Sequence, residues 1–172
     1  MQPMNIVFYL IAAVAAVATL LVIVQRNAVH ALLYLIVSLL AVAALFYLLG
    51  APFAAALEVI IYAGAIMVLF VFVVMMLNAG PADKRLFPPS ILYGPLFLAA
   101  VLLAEFSYVL GAGGGQPAAS SPVEAGAVAE SLFGPYMLGV ELASLLLLSA
   151  LVGAHHLGRR LDKRRRPEEG QR

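Results

Sequence analysis

The chain contains no cysteine among its 172 residues, and charged side chains make up only 11% of it. Without cysteine there can be no disulfides, no thiolate metal sites and no cysteine-ligated iron–sulfur clusters. The phosphate-binding pattern G-x-x-x-x-G-K-[ST], the dinucleotide pattern G-x-G-x-x-G and the zinc pattern H-E-x-x-H are also missing. These absences predict a chain that has no complete catalytic site or cofactor of its own and works inside a larger assembly.

Apolar residues dominate the composition instead. They form 64% of the chain, and the mean hydropathy is +1.03, whereas soluble domains are about half apolar and about a quarter charged. A membrane-spanning helix needs about 20 apolar residues, and five stretches meet this requirement. We therefore predict an all-α integral membrane protein with a single membrane domain, 1–172, in which the first stretch is a retained helix and not a signal peptide. The five predicted helices cover about 4–24, 28–49, 53–77, 91–110 and 136–157.

The positive charges predict the orientation of these helices. With five spans, Arg26, Lys84, Arg85 and the basic tail 158–172 all fall on one side of the membrane, and no lysine or arginine falls on the other. The positive-inside rule makes that side cytoplasmic. The N-terminus and the loop 111–135 are then outside, and the C-terminus is cytoplasmic. Beside a membrane span, the basic tail indicates topology and not a nucleic-acid site.

Several residues predict where helices begin and end. Asn27 is a suitable N-cap for the second helix, and Pro52 is suited to the first position of the third. In the outer loop, Ser121, Pro122 and Glu124 resemble a capping box that would start a short surface helix ending near Leu132. The tail after residue 157 is predicted to be disordered beyond its first turn.

Acidic side chains within the predicted spans are the main candidates for chemistry. Glu58 and Tyr62 are spaced i, i+4 and share one face of the third helix. An ionisable group at bilayer depth indicates function by default, so Glu58, Tyr62 and Glu141 are predicted proton-path residues; the alternative is a structural carboxylic acid bonded to a neighbouring helix. Glu58, Glu105 and Glu141 all lie roughly 7 Å below the outer boundary. Glu105 is near enough to the interface to reach toward the headgroups, so a structural role is predicted for it.

Two further groups of residues each leave alternatives open. Small residues follow Tyr62 at Ala63, Gly64 and Ala65, and they indicate either close helix packing or a π-bulge, a change of winding often found at functional sites. The histidines, His30, His155 and His156, could suggest haem ligands, but adjacent helical residues point about 100° apart. A capping or interfacial role is therefore predicted for them.

Three segments carry a resemblance to a known family: NAVHALLYLIVSLL, ALEVIIYAGAIMVLFVFVVMMLN and LFGPYMLGVELASLLLL. They resemble subunit J of bacterial proton-pumping NADH–quinone oxidoreductase, respiratory complex I. The resemblance implies a multi-pass protein of the bacterial inner membrane, surrounded by lipid and by subunits of the A, H, K and N types. It also implies that FMN, the iron–sulfur clusters and most quinone contacts belong to partner subunits, and that no nucleic acid is bound.

The same resemblance implies a role for the third helix. Members of the family have a π-bulge in this helix, here at Tyr62 to Ala65, that is thought to rotate and relax, interrupting or completing a water chain. Tyr62, Ala63, Gly64 and Ala65 would then be hinge residues, and the subunit would help couple quinone reduction to proton pumping. Three alternatives remain: a related complex with another electron donor, a small stand-alone transporter, and a purely structural helix bundle.

Overall fold

The computed structural model describes residues 3–77, 93–111 and 122–165. Within these ranges the chain is helical apart from short turns and contains no strand, so the predicted all-α class is confirmed. We number the six helices in chain order. They are α1 (Pro3–Val24), α2 (Ala28–Leu48), α3 (Pro52–Leu77, with a change of winding at its centre), α4 (Tyr93–Gly111), α5 (Ala125–Phe133) and α6 (Met137–Arg165).

Four of the helices are long and apolar enough to cross a membrane, which agrees with the predicted membrane protein. They are Asn5–Val24, Ala28–Leu48, Pro52–Leu77 and Met137–Gly158. The apolar part of α4, Tyr93–Val109, is shorter than these spans, and the predicted start of this helix at residue 91 lies outside the described residues. Five spans and the orientation of the termini therefore stay predictions.

The turns between the first three helices follow the sequence closely. The side chain of Asn27 accepts a hydrogen bond from the Val29 backbone N–H at 3.0 Å, as predicted for an N-cap. Gly50 ends α2 with a φ of 82°, which glycine adopts without steric cost. The N–H groups of Gly50 and Ala51 donate to the carbonyls of Tyr47 and Phe46, which is the Schellman arrangement. Pro52 then begins α3, as predicted.

The chain forms two compact units, Met1–Glu124 and Ala125–Arg172. The core of the first unit lies where α1, α2 and α4 pack together. Alanines at the contact let the helix backbones approach closely, as is usual in membrane bundles. Helix α3 packs against α2, but only 6% of its most apolar window is buried. The buried core residues are Val7, Ile11, Ala15, Ala41, Ala44, Leu48, Leu102 and Val109.

The second unit consists of α5 and α6. The predicted surface helix is present, but it begins at Ala125 and not at Pro122, while Ser121 lies outside the described residues. The Val123 N–H donates to the Gly50 carbonyl at 2.8 Å, and this bond to the α2–α3 turn holds residues 122–124 outside the helix. At the end of α5 a Cβ on Gly134 would lie 2.6 Å from the Glu130 carbonyl oxygen, so the turn into α6 requires glycine.

Helix α6 is longer than predicted. Its apolar span, Met137–Gly158, agrees with the predicted 136–157, but the helix itself continues to Arg165. The prediction of disorder after the first turn of the tail is therefore wrong as far as Arg165. Arginine, leucine and lysine are good helix formers, and positive charge near a helix C-terminus is stabilised by the helix dipole.

Candidate functional site

A π-helical segment occupies the centre of α3 and extends from Glu58 to Ile66. At its end, the Met67 N–H bonds to the Tyr62 carbonyl, five residues earlier, as well as to the Gly64 carbonyl. Ordinary α-helix continues on both sides, at Pro52–Leu57 and Met67–Leu77. Most π-helical features are single turns, so this nine-residue segment is long for its kind. All four residues at which the sequence predicts a π-bulge lie inside it.

Gly64 is the feature of the local sequence that suits this stretch to the π winding. Val59, Ile60 and Ile61 are β-branched, but so are several residues of the ordinary α-helix that follows, so branching does not distinguish the segment. Gly64 follows, and a Cβ added there would lie 3.0 Å from the Val59 carbonyl oxygen. A side chain at this position would therefore press on the backbone in the π winding, and glycine removes that contact.

The π segment is little covered by its own chain. None of its residues is buried, Glu58 is half-buried, and the Tyr62 side chain is 52% exposed. In the whole of α3 only Ala55 and Met67 are buried. The polar groups of this segment are thus available to whatever surrounds the chain in the membrane.

A cavity of about 720 Å³ lies between α2, the first half of α3 and α4. Its lining is apolar and includes Ala55 and Val59 of α3, Ala44 and Tyr47 of α2, and Phe106 of α4. Because packed side chains normally leave few voids in a protein interior, α3 is loosely held on this side.

The structure places the predicted proton-path residues in two separate units. Glu58 and Tyr62 share the π segment, and within the described residues no hydrogen bond joins their side chains. Glu141 is an exposed residue of α6 in the second unit, where its backbone carbonyl accepts a hydrogen bond from the Ser144 hydroxyl at 2.7 Å. The common depth of the three acids therefore stays a prediction.

The structure also shows two polar side chains that are more enclosed than the sequence indicates. The Oε2 atom of Glu105 is enclosed by the protein and makes no hydrogen bond to the residues that the structure describes, although the residue as a whole is partly exposed. His30, for which a capping or interfacial role was predicted, is buried in the first turn of α2. The signal that locates Glu105 is its position between the buried residues Leu102 and Val109, which share its helix face.

Together these features define a helical membrane protein whose third helix is π-helical around Glu58 and Tyr62. Comparison with known proteins identifies the group to which it belongs. Residues 18–157 match the family described as NADH-ubiquinone/plastoquinone oxidoreductase chain 6. This match covers most of the chain, and the chain therefore belongs to that family.

Individual relatives agree with this assignment. NADH-quinone oxidoreductase subunit J of Pseudomonas aeruginosa is 58% identical over 165 residues, which cover 91% of this chain and 97% of the relative. Subunit J of Escherichia coli K12 is 51% identical over 160 residues, covering 91% and 87%. Subunit J of Buchnera aphidicola subsp. Schizaphis graminum is 49% identical over 160 residues, covering 91% and 98%. The resemblance to subunit J is confirmed, and with it the prediction of a subunit of an NADH–quinone oxidoreductase.

Proposed function

We propose that this chain helps couple quinone reduction to proton pumping in the membrane arm of its complex, and that α3 is the switching element. The π-helical segment from Glu58 to Ile66 is the observation that carries the proposal. A π winding changes the hydrogen-bond register of the helix. Returning to α-helix would rotate the residues on one side of the segment relative to the other, and the polar face of Glu58 and Tyr62 would move with them.

Three features of the segment favour two accessible windings. Gly64 tolerates both, because it has no Cβ to meet the Val59 carbonyl. The cavity beside Ala55 and Val59 gives the first half of α3 room to move. Neither winding is held by burial, since no residue of the segment is buried. When two states differ by only a few kcal/mol, a change elsewhere in a complex can select between them.

The chemistry of the switch lies in Glu58 and Tyr62. A carboxyl group and a phenol can both give and accept protons or hold water, and neither residue is buried by the chain itself. We propose that they join a chain of water in one winding and leave it in the other, with Glu141 contributing to or bordering the same path. Subunits of the A, H, K and N types would supply the facing residues, and FMN, iron–sulfur clusters and quinone would belong to partner subunits.

The proposed setting is the bacterial inner membrane, crossed five times with the C-terminus in the cytoplasm. The four long apolar helices support a multi-pass protein, and the relatives named above are bacterial. A stand-alone transporter is the competing hypothesis. Extraction in mild detergent separates the two hypotheses, because a complex subunit migrates with many partners whereas a transporter migrates alone or as a homo-oligomer.

The decisive experiment is a pair of high-resolution maps of the assembled complex, one at rest and one during turnover. We expect the backbone from Glu58 to Leu69 to be π-helical in one state and α-helical in the other, with ordered water near Tyr62 in only one of them. If both maps show the same winding, with a dry and fully packed segment, the switch is contradicted and the subunit has only a structural role.

A further inference from the structure

Helix α2 carries a row of buried polar side chains that the proposed switch does not use. His30, Tyr34 and Ser38 of α2 are buried, with 7%, 7% and 5% of their surfaces exposed. Their spacing of four residues places them on one helix face, over about 12 Å along the axis. Ionisable and polar groups in a membrane bundle typically face its interior and mark proton or ion paths.

A pair of hydroxyl groups lies at the deeper end of this row. The Ser38 Oγ and the Thr19 Oγ1 of α1 are 2.7 Å apart, and either can be the donor. The Ala15 carbonyl oxygen lies 2.8 Å from the Thr19 Oγ1 and 3.4 Å from the Ser38 Oγ. One hydroxyl can therefore donate to the Ala15 carbonyl while it accepts a hydrogen bond from the other hydroxyl. The two hydroxyls can exchange these roles without movement of the heavy atoms. Reversible donors of this kind are what proton transfer through hydroxyls requires.

Glu105 of α4 lies beyond the hydroxyl pair, on the side away from His30. Its Oε2 is enclosed and makes no hydrogen bond to the described residues, although a buried polar group normally has a partner. On either side of it along the helix face, Leu102 and Val109 belong to the apolar core. The residue as a whole is partly exposed, but an enclosed oxygen without a partner is costly to the protein.

Two contacts between α2 and α4 fix the order of these groups along the membrane. The Tyr34 hydroxyl lies against Gly94, near the start of α4, and the rings of Tyr47 and Phe106 are 6.3 Å apart, near the ends of the two helices. The helices therefore run parallel, and Glu105 lies roughly 11 Å further along the axis than Ser38. The buried side chains between these two levels are apolar, namely Ala41, Ala44 and Leu102, so water has to complete any path between them.

We propose that His30, Tyr34 and the Thr19–Ser38 pair, with intervening water, form a file that carries protons from the end of the bundle near His30 to Glu105. His30 takes a proton from water at that end, each hydroxyl accepts one proton and releases its own, and the Glu105 carboxylate becomes a carboxylic acid. Release reverses these steps, so no oxidant or reductant is needed. The inference rests on the proposed function, because only a proton-pumping complex supplies the driving force.

The test compares variants of the whole complex reconstituted in liposomes, with quinone reduction and proton uptake measured together. Glu105→Gln keeps the size of the side chain but cannot carry a proton, and we expect it to lose most proton pumping while quinone reduction continues. Glu130→Gln is the matched control, because Glu130 is an exposed acid of α5. Pumping at the wild-type ratio in Glu105→Gln would overturn the inference.

A second pair of variants decides the matter if Glu105→Gln fails to assemble. Thr19→Val keeps the shape but removes the hydroxyl, whereas Thr19→Ser keeps the hydroxyl. We expect pumping to be lost in the valine variant and retained in the serine variant; equal pumping in both would refute the file.

Gly64→Val in the same assay separates the two proposals. Uncoupling in Gly64→Val alone would leave the switch standing without the file, and uncoupling in Glu105→Gln alone would leave the file without the switch.

Discussion

Substitution of Gly64 tests the switch in α3 most directly. In the π winding, a Cβ at this position would lie 3.0 Å from the Val59 carbonyl oxygen, closer than ordinary van der Waals contact. The obstacle is backbone, which cannot swing aside as a long side chain can. Forcing extra carbon atoms into a filled space costs about 1–3 kcal/mol. We assign about 1 kcal/mol to Gly64→Ala, and about 2 kcal/mol to Gly64→Val because valine adds two more carbon atoms at the same place.

These energies convert into populations of the π winding. Each 1.4 kcal/mol corresponds to about tenfold, so Gly64→Ala should lower the ratio of π to α winding about fivefold and Gly64→Val roughly thirtyfold. If coupled turnover follows that ratio, it should fall in the same order, with valine worse than alanine. The amount of assembled complex should change little, because Gly64 is not part of the buried core.

The assay measures NADH-driven quinone reduction and proton uptake in liposomes, normalised to the amount of complex on a native gel. Gly153→Ala and Gly153→Val are the controls, because no atom lies within 4 Å of an ideal Cβ at Gly153. Wild-type coupling in Gly64→Val would refute the reasoning. So would a loss of assembled complex as large as the loss of activity, since that result indicates packing and not switching.

Three further substitutions test the structure of the first unit. Gly94→Ala would place a Cβ against the Tyr34 hydroxyl and should lower the amount of assembled complex on a native gel. Tyr34→Phe in the same chain removes that hydroxyl and should restore part of the assembled complex. If nothing is restored, the contact between Gly94 and Tyr34 is contradicted. Asn27→Ala removes the hydrogen bond from the Val29 N–H and should lower the stability of the protein by about 1 kcal/mol. The measurement is the aggregation temperature of the detergent-solubilised complex, which should fall for Asn27→Ala and stay nearly unchanged for Asn27→Ser. Gly50→Ala forces alanine to a φ of 82° and should cost about 1–2 kcal/mol in the same measurement, while an unchanged aggregation temperature would argue against the Schellman turn.

The sequence by itself determined the helices and most of their ends. Long apolar stretches with few charges have to be helical in a bilayer, because every backbone polar group must be bonded within the chain. Asn27 and Pro52 acted locally, and the structure has them where their capping chemistry predicts. From Tyr62 to Ala65 the residues alone left close packing and a change of winding both open, and the resemblance to subunit J implied the second. The structure has a π segment there, and its length did not follow from the residues.

Only the tertiary structure decided which apolar face meets protein. Lipid tails are as apolar as leucine, so hydropathy does not separate a buried face from a lipid-facing one. The enclosure of His30 and of the Glu105 Oε2 atom therefore does not follow from the sequence, because it depends on how the helices meet. The late start of α5 has a similar cause, since it follows from the hydrogen bond between Val123 and Gly50. Val123 and Gly50 are far apart in the chain, so no local sequence pattern predicts that they come into contact.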